Sequence, residues 1–182
     1  MAHVPLIDRT TVTDASVAAQ LDQIDSAFGV VPAMFKAVAN SPAALTSMWR
    51  SFGAFAGGSL GTALSEKIAV AVANRNACAY CLAAHTALGR KAGLSAEALA
   101  AAQDGDSDDP RVAVLLRFVL ALVDRRGQVS SAEVETLRAS GWSDEQIVET
   151  VGQVALNVFT NYVNIALDVH VDFPAVALRP TA

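Results

Sequence analysis

Ser65-Glu66-Lys67-Ile68-Ala69-Val70-Ala71-Val72-Ala73-Asn74-Arg75-Asn76-Ala77-Cys78-Ala79-Tyr80-Cys81-Leu82-Ala83-Ala84-His85, continuing to Lys91-Ala92-Gly93, is the stretch the chain is organised around. It holds both cysteines and one of the three histidines. On a helix Cys78, Cys81 and His85 stand at i, i+3 and i+7, on one stripe of the surface. Glu66 lies twelve residues before Cys78, about 18 Å away along a straight helix. It joins the stripe only if the chain turns between them, and Asn74-Arg75-Asn76 offers turn-compatible residues for that break. Two helices are therefore expected, 62–75 and 77–91, folded back as neighbours so that Glu66 comes within reach of His85 or Cys81. Asn76 is the expected N-cap of the second, which places Cys78 in its first turn, where unpaired amides favour a thiolate.

Outward from this segment the same helical periodicity recurs. Residues 1–12 read as an extended arm laid across the body or a neighbouring subunit, with His3 in a mobile stretch outside any site. Thr13-Asp14 caps a helix with Val17, Leu21, Ile24 and Phe28 in period, closed by Gly29. Helices over 33–39 and 42–55 each start beside a proline. Gly57-Gly58-Ser59-Leu60-Gly61 is a hinge or turn, since it lacks the Gly-Lys-Ser/Thr ending of a phosphate loop. Beyond the central segment, helices are expected over 96–103, 110–126, 130–139 and 144–169. Asp104 to Asp109 reads as a solvated N-capping loop, because the twelfth-position glutamate of a calcium loop is missing. The last helix should bury Ile147, Val151, Val154, Val158, Tyr162 and Ile165, with His170 at its end as a dipole partner. Gly93-Leu94-Ser95 and Gly141-Trp142-Ser143 repeat one connector pattern, read as a degenerate repeat or as a common linker used twice. Trp49 and Trp142 are expected in cores or interfaces. No segment alternates with period two, so the fold class is all-α, in one domain spanning 1–182.

Hydrophobic residues make up 53% of the 182 and charged residues only 17%, more apolar content than a small soluble surface needs. A homo-oligomer, such as a trimer or hexamer, is the expected outlet for it. The net charge of -5 and the absence of a basic run argue against nucleic acid or an anionic membrane as partner. The N-terminus shows no charged and then apolar leader pattern, and the most apolar long segment, 112–123, is interrupted by Arg117 and too short to span a bilayer. The expected compartment is cytoplasmic, where Cys-x-x-Cys is more often catalytic, redox-sensing or metal-binding than a structural staple.

Glu66, Cys78, Cys81 and His85 together read Glu-x11-Cys-x2-Cys-x3-His. This pattern resembles the active-site signature of the AhpD-like alkylhydroperoxidases within the carboxymuconolactone decarboxylase superfamily. Phe28-Gly29-Val30-Val31-Pro32-Ala33-Met34-Phe35 and Asn157-Val158-Phe159-Thr160-Asn161-Tyr162-Val163-Asn164 are similar to segments of its peroxidase-related members. The resemblance implies a compact, oligomeric helical bundle that acts as a thiol peroxidase on a hydroperoxide, without metal or organic cofactor. It assigns Cys81 as the attacking thiol, Cys78 as the resolving thiol, and His85 with Glu66 as the proton relay. A thiol or dithiol reductant restores the pair, with Cys78 the point of attack if it is the exposed sulfur. The histidine that some members carry between the cysteines is absent here, where Ala79-Tyr80 stands, so Tyr80 either supplies a hydroxyl or packs. Decarboxylation is disfavoured, since decarboxylases of the superfamily typically lack the cysteine pair.

The same residues admit three other readings. Cys78, Cys81, His85 and Glu66 are acceptable zinc ligands, but structural zinc usually takes a second Cys or His pair from elsewhere. A thioredoxin-like centre needs a βαβ context that this sequence lacks. A thiol sensor or scaffold would keep the residues without turnover.

Overall fold

From Ile68 to Asn74 seven consecutive residues are buried, so the helix that carries them is enclosed on every side. It is α4 (Thr62–Arg75), the fourth of nine helices among residues 2–180, which the computed structural model describes. No strand occurs among these residues. Before it come α1 (Ala15–Phe28), α2 (Ala33–Val38) and α3 (Pro42–Ala56). After it follow α5 (Ala79–Lys91), α6 (Ala96–Gln103), α7 (Pro110–Asp124), α8 (Ser131–Ala139) and α9 (Asp144–Ala166).

Around α4 pack α5, α6, α7 and α9. Ala69, Ala71 and Ala73 alternate with Ile68, Val70 and Val72 in α4, and the small residues let neighbouring helices approach closely. Gly89 has the same use on α5. A Cβ there would stand 2.7 Å from Leu99 Cδ2 of α6, so α5 seats against the Leu99 side chain of α6 because position 89 has no side chain, while a Cβ would meet Glu66 Cβ of α4 at an ordinary 3.6 Å.

Most helix starts are where the sequence puts them, since capping is a local hydrogen-bond requirement. Asp14, Ser41, Ser95, Asp109, Ser130 and Ser143 all accept from first-turn amides, and Ser130/Glu133 and Ser143/Gln146 complete capping boxes. The central break differs from expectation. Asn76 is the C-cap of α4 and not the N-cap of α5; that role falls to Cys78. Ala77 takes a left-handed φ of 55°, Cys78 N–H donates to Ala73 O at 2.9 Å and Ala77 N–H to Asn74 O at 3.0 Å. This is a Schellman ending with alanine in the position glycine usually fills.

The two Gly-apolar-Ser connectors share a physical explanation that needs no internal repeat. Gly93 and Gly141 adopt left-handed φ, the next residue donates back into the helix just ended, and the serine caps the helix that follows. Trp142 is buried, donates Nε1–H to Arg111 O at 3.1 Å, and has the Arg111 guanidinium 3.8 Å from its ring centroid.

Three expectations at the periphery are corrected. α7 ends at Asp124 and α9 at Ala166, so His170 lies beyond the helix and is exposed. The arm lies across the body, one of its two expected placements, with Val4, Leu6, Ile7 and Val12 packed on the core, but His3 is held there rather than mobile. Its N–H donates to Leu167 O and its Nδ1 to Ala166 O. On α9, Val151, Tyr162 and Ile165 are exposed. The face turned to the core instead carries Thr150, Gln153, Asn157, Thr160, Asn161 and Asn164 beside Ile147, Val154 and Leu156. No helix among the described residues is long and apolar enough to cross a membrane.

Candidate active site

The turn between α4 and α5 brings together the four residues singled out in the sequence. Glu66, on the second turn of α4, faces His85 on α5, and Glu66 Oε2 stands 2.8 Å from His85 Nδ1. Both side chains are largely enclosed, with 14% and 13% of their surface exposed. A carboxylate oxygen accepts, so Nδ1 carries the hydrogen and Nε2 is left as the nitrogen for proton transfer. Burial works against the imidazolium. The Glu66 charge and hydrogen bond, helped by the Cys81 charge, outweigh it and hold His85 above its ordinary value.

Both cysteines are free thiols, and their sulfurs are 2.7 Å apart. Cys78, as N-cap, accepts the Cys81 backbone N–H on its sulfur at 3.3 Å. Cys81 accepts from Asn164 Nδ2 of α9 at 3.2 Å. The proton shared between the sulfurs stays with Cys78, whose thiol is raised by donating to Cys81 and by burial. Cys81 is pulled down to about 7, first by that hydrogen bond from Cys78, against the cost of its own burial, then by the His85 charge and the Asn164 and Asn161 amides. The helix N-terminus therefore does not put the anion on Cys78, as its position in the sequence implied. Nor is Cys78 the exposed sulfur: it shows 1% of its surface and Cys81 2%.

Access comes from a cavity of about 480 Å³ above Cys81, His85 and Glu66. Its walls are Phe28, Phe35, Trp49 and Phe52 from α1, α2 and α3, with Tyr80 and Phe173. The rings form a connected set: Phe35 meets Trp49 edge-on at 5.8 Å and Phe52 at 6.0 Å, and Tyr80 meets Phe173 edge-on at 5.7 Å. Cys81 lines this space and Cys78 does not. A smaller cavity, about 140 Å³, adjoins Glu66 and His85 and is bordered by Ser65, Thr62, Gln153 and Asn157. It is polar enough and roomy enough for water.

Tyr80 belongs to the wall. It is 4% exposed, its oxygen accepts the Met34 N–H at 3.3 Å, and burial with the Asp172 carboxylate nearby raises its phenol. It ties α2 to the C-terminal segment, where Asp172 accepts the Ala33 N–H at 2.7 Å. Among the described residues no group of three or more His, Cys, Asp or Glu side chains is placed to hold a metal ion.

The sequence reading missed Asn161 and Asn164 as neighbours of the Cys81 sulfur. Their signal was present as a polar stripe at helical spacing, Gln153, Asn157, Thr160, Asn161 and Asn164, on an otherwise apolar helix. It points at the site because the site needs hydrogen bonds inside the core.

A helical protein with a buried dithiol beside a carboxylate–imidazole pair is the class that fold and site define. Residues 42–124 match the carboxymuconolactone decarboxylase family model. The fold is that of a peroxidase-related protein with an alkylhydroperoxidase AhpD core from Ralstonia eutropha JMP134. The two share 22% identity over 94% of this chain and 92% of that one, with a TM-score of 0.85. A peroxidase-related protein from Silicibacter sp. TM1040 is similar at 23% identity, over 97% and 92%, with a TM-score of 0.80. The debrominase Bmp8, solved as a cysteine-to-alanine variant in complex with 2,3,4-tribromopyrrole, is similar at 17% identity, over 93% and 91%, with a TM-score of 0.79. Among curated proteins no match is found. The family match runs from the start of α3 to the end of α7, and the likeness to the solved structures, which spans nearly the whole chain, is one of fold.

Proposed function

We propose that this chain is a thiol-dependent peroxidase that reduces hydrogen peroxide or organic hydroperoxides through Cys81 and Cys78. The observation that carries the reading is the placement of Cys81. Its sulfur has the depressed pKa of the pair, faces the cavity, and stands beside a His85–Glu66 relay, while its partner thiol is already in contact.

The Cys81 thiolate attacks the terminal peroxide oxygen, and the O–O bond breaks. His85 delivers a proton to the departing alkoxide or hydroxide, and Cys81 becomes a sulfenic acid. Glu66 holds the imidazole in the tautomer and orientation for that transfer. Cys78 then attacks the Cys81 sulfur, and the sulfenic oxygen leaves as water, forming the Cys78–Cys81 disulfide. Two thiols of an external reductant return the pair to the dithiol and become a disulfide themselves. Because Cys78 is shielded, the reductant attacks from the cavity at Cys81 and releases Cys78.

Wild-type protein is expected to consume cumene hydroperoxide or hydrogen peroxide with a dithiol reductant. Cys81→Ser is expected to be inactive, and Cys78→Ser to accumulate a sulfenic acid that dimedone captures at Cys81. Equal turnover by wild type and Cys81→Ser would sink the proposal. A single oxidation equivalent without turnover would identify a thiol sensor instead.

The aromatic walls of the cavity favour one second reading, reductive dehalogenation of a halogenated aromatic ring. The ring loses halide and gains hydrogen while the dithiol becomes a disulfide, so two thiols supply both electrons. Halide release from a brominated pyrrole or phenol, measured beside peroxide consumption, separates the two reactions.

A further inference from the structure

Two sulfurs in contact share one proton, and the donors around each decide where the negative charge rests. At Cys78 the start of α5 supplies the Cys81 N–H at 3.3 Å, an arrangement that by itself favours an anion on Cys78. That sulfur does not line the cavity. Reaction there requires the charge on Cys81, so an opposing set of donors is needed.

It comes from α9. Asn164 is 3% exposed, and its Nδ2 has two hydrogens to give. One goes to Thr160 O at 3.0 Å and the other to Cys81 Sγ at 3.2 Å. The Thr160 carbonyl only accepts, which fixes the amide with its nitrogen toward the sulfur and leaves Oδ1 buried without a partner. Asn161, 0% exposed, accepts on Oδ1 from Asn76 Nδ2 at 2.9 Å. Its own Nδ2 is thereby turned inward, where it is buried with no hydrogen-bond partner, close enough to Cys81 to lower that thiol's pKa. A buried donor left unsatisfied, as Asn161 Nδ2 is, is costly in a neutral core. Donors held in place in this way are what a site preorganised for an anion requires.

We infer that Asn164 and Asn161 form an amide cradle on α9 that keeps the thiolate on Cys81 rather than on Cys78. Asn164 touches the reacting sulfur and is a further catalytic residue; Asn161, oriented by Asn76 at the end of α4, completes the cradle. Its catalytic meaning rests on the thiol chemistry proposed above, whereas the location of the charge does not. The titratable groups around Cys81 are Cys78, His85 and Tyr80 on α5, Glu66 on α4 and Asp172 in the C-terminal segment. The side chains that α9 turns to this site are amides and a hydroxyl.

The test is the pH dependence of Cys81 alkylation by iodoacetamide in the reduced protein, followed by peptide mass spectrometry. Asn164→Ala is expected to move the midpoint upward by about one pH unit and to slow Cys81 labelling at pH 6 about tenfold. Asn161→Ala moves it in the same direction and decides the matter if Asn164→Ala does not fold. Thr150→Ala, buried on the same helix face but remote from the sulfur, controls for loosening of α9 and titrates as wild type. Wild-type midpoints in folded Asn164→Ala and Asn161→Ala would overturn the inference. A protein that consumes no hydroperoxide yet shifts as described loses the peroxidase reading and keeps the cradle. Turnover with unshifted variants removes the cradle alone.

Discussion

His85 has one nitrogen committed to Glu66 and the other available to a substrate, and that division sets how the site should respond to pH. Cys81, lowered to about 7, is half ionised near that pH and is protonated below it. Its reaction rate with iodoacetamide or hydroperoxide should therefore climb about tenfold per unit below pH 7 and level off above it. His85 is raised, so it keeps its proton above its ordinary range and supports the thiolate across the rise. In Glu66→Gln the carboxylate charge is gone, His85 loses the charge that outweighed its burial, and the imidazolium fades. The Cys81 limb is then expected to move to higher pH; an unmoved limb in initial-rate measurements would remove Glu66 from the relay. The four residue types at Glu-x11-Cys-x2-Cys-x3-His were legible in the sequence because each has distinct chemistry at a fixed helical offset. The burial of Cys78, and which sulfur holds the charge, were not. The first follows from packing across the whole core, and the second draws in part on Asn161 and Asn164 of α9, eighty or more residues away, whose approach no local pattern encodes.

Between α4 and α5 the chain reverses within three residues, and Ala77 bears the strain. Its φ of 55° brings an L side chain close to the following carbonyl, a conformation costing about 1–2 kcal/mol that glycine avoids. Part of that gain is offset by the greater freedom of glycine in the unfolded chain. Ala77→Gly should stabilise the protein by about 0.5–1 kcal/mol, read as a higher thermal midpoint or a higher denaturant midpoint at unchanged slope. A midpoint at or below wild type would mean that the alanine methyl makes a compensating contact. Had residue 77 been glycine, the break would have been readable to the residue. With alanine in its place, Asn76 was the strongest cap signal, and the expected start of α5 fell two positions early. Starts marked by Ser or Asp were legible because the cap and its amides lie within one turn. The face of α9 was not legible in the same way. Hydropathy marks which stripe is apolar, and the core took the amide stripe because the site needed donors.

The apolar stripe that α9 leaves outside runs Val148, Val151, Ala155, Tyr162 and Ile165, with Val158 between them half-buried against the core, at alternating steps of three and four. Val148, Tyr162 and Ile165 are 70%, 62% and 49% exposed. A seam with this spacing and no charged member matches the packing edge of a paired helix. A large uncharged patch on a chain with 53% hydrophobic residues is a costly surface to leave in water. We propose that a second copy of the chain covers it, α9 against α9, since a stripe of this kind is complementary to itself about a two-fold axis. Arg at both Tyr162 and Val151 would put like charges from the two copies along the seam, with repulsion and desolvation acting together. Light scattering on wild-type protein should then give a mass above the 18.9 kDa of one chain. Tyr162→Arg combined with Val151→Arg should give that of a single chain, with helical circular dichroism and a cooperative melt retained. A wild-type mass of one chain, or a variant that assembles as wild type does, would rule out α9 as the contact. Phe28, Trp49 and Phe52 lie on other helices, so loss of assembly should leave the cavity walls in place. The single-chain variant should accordingly keep the Cys81 alkylation midpoint near pH 7, and a shift of that midpoint would show that the second copy helps hold α9 and its two asparagines against the sulfur.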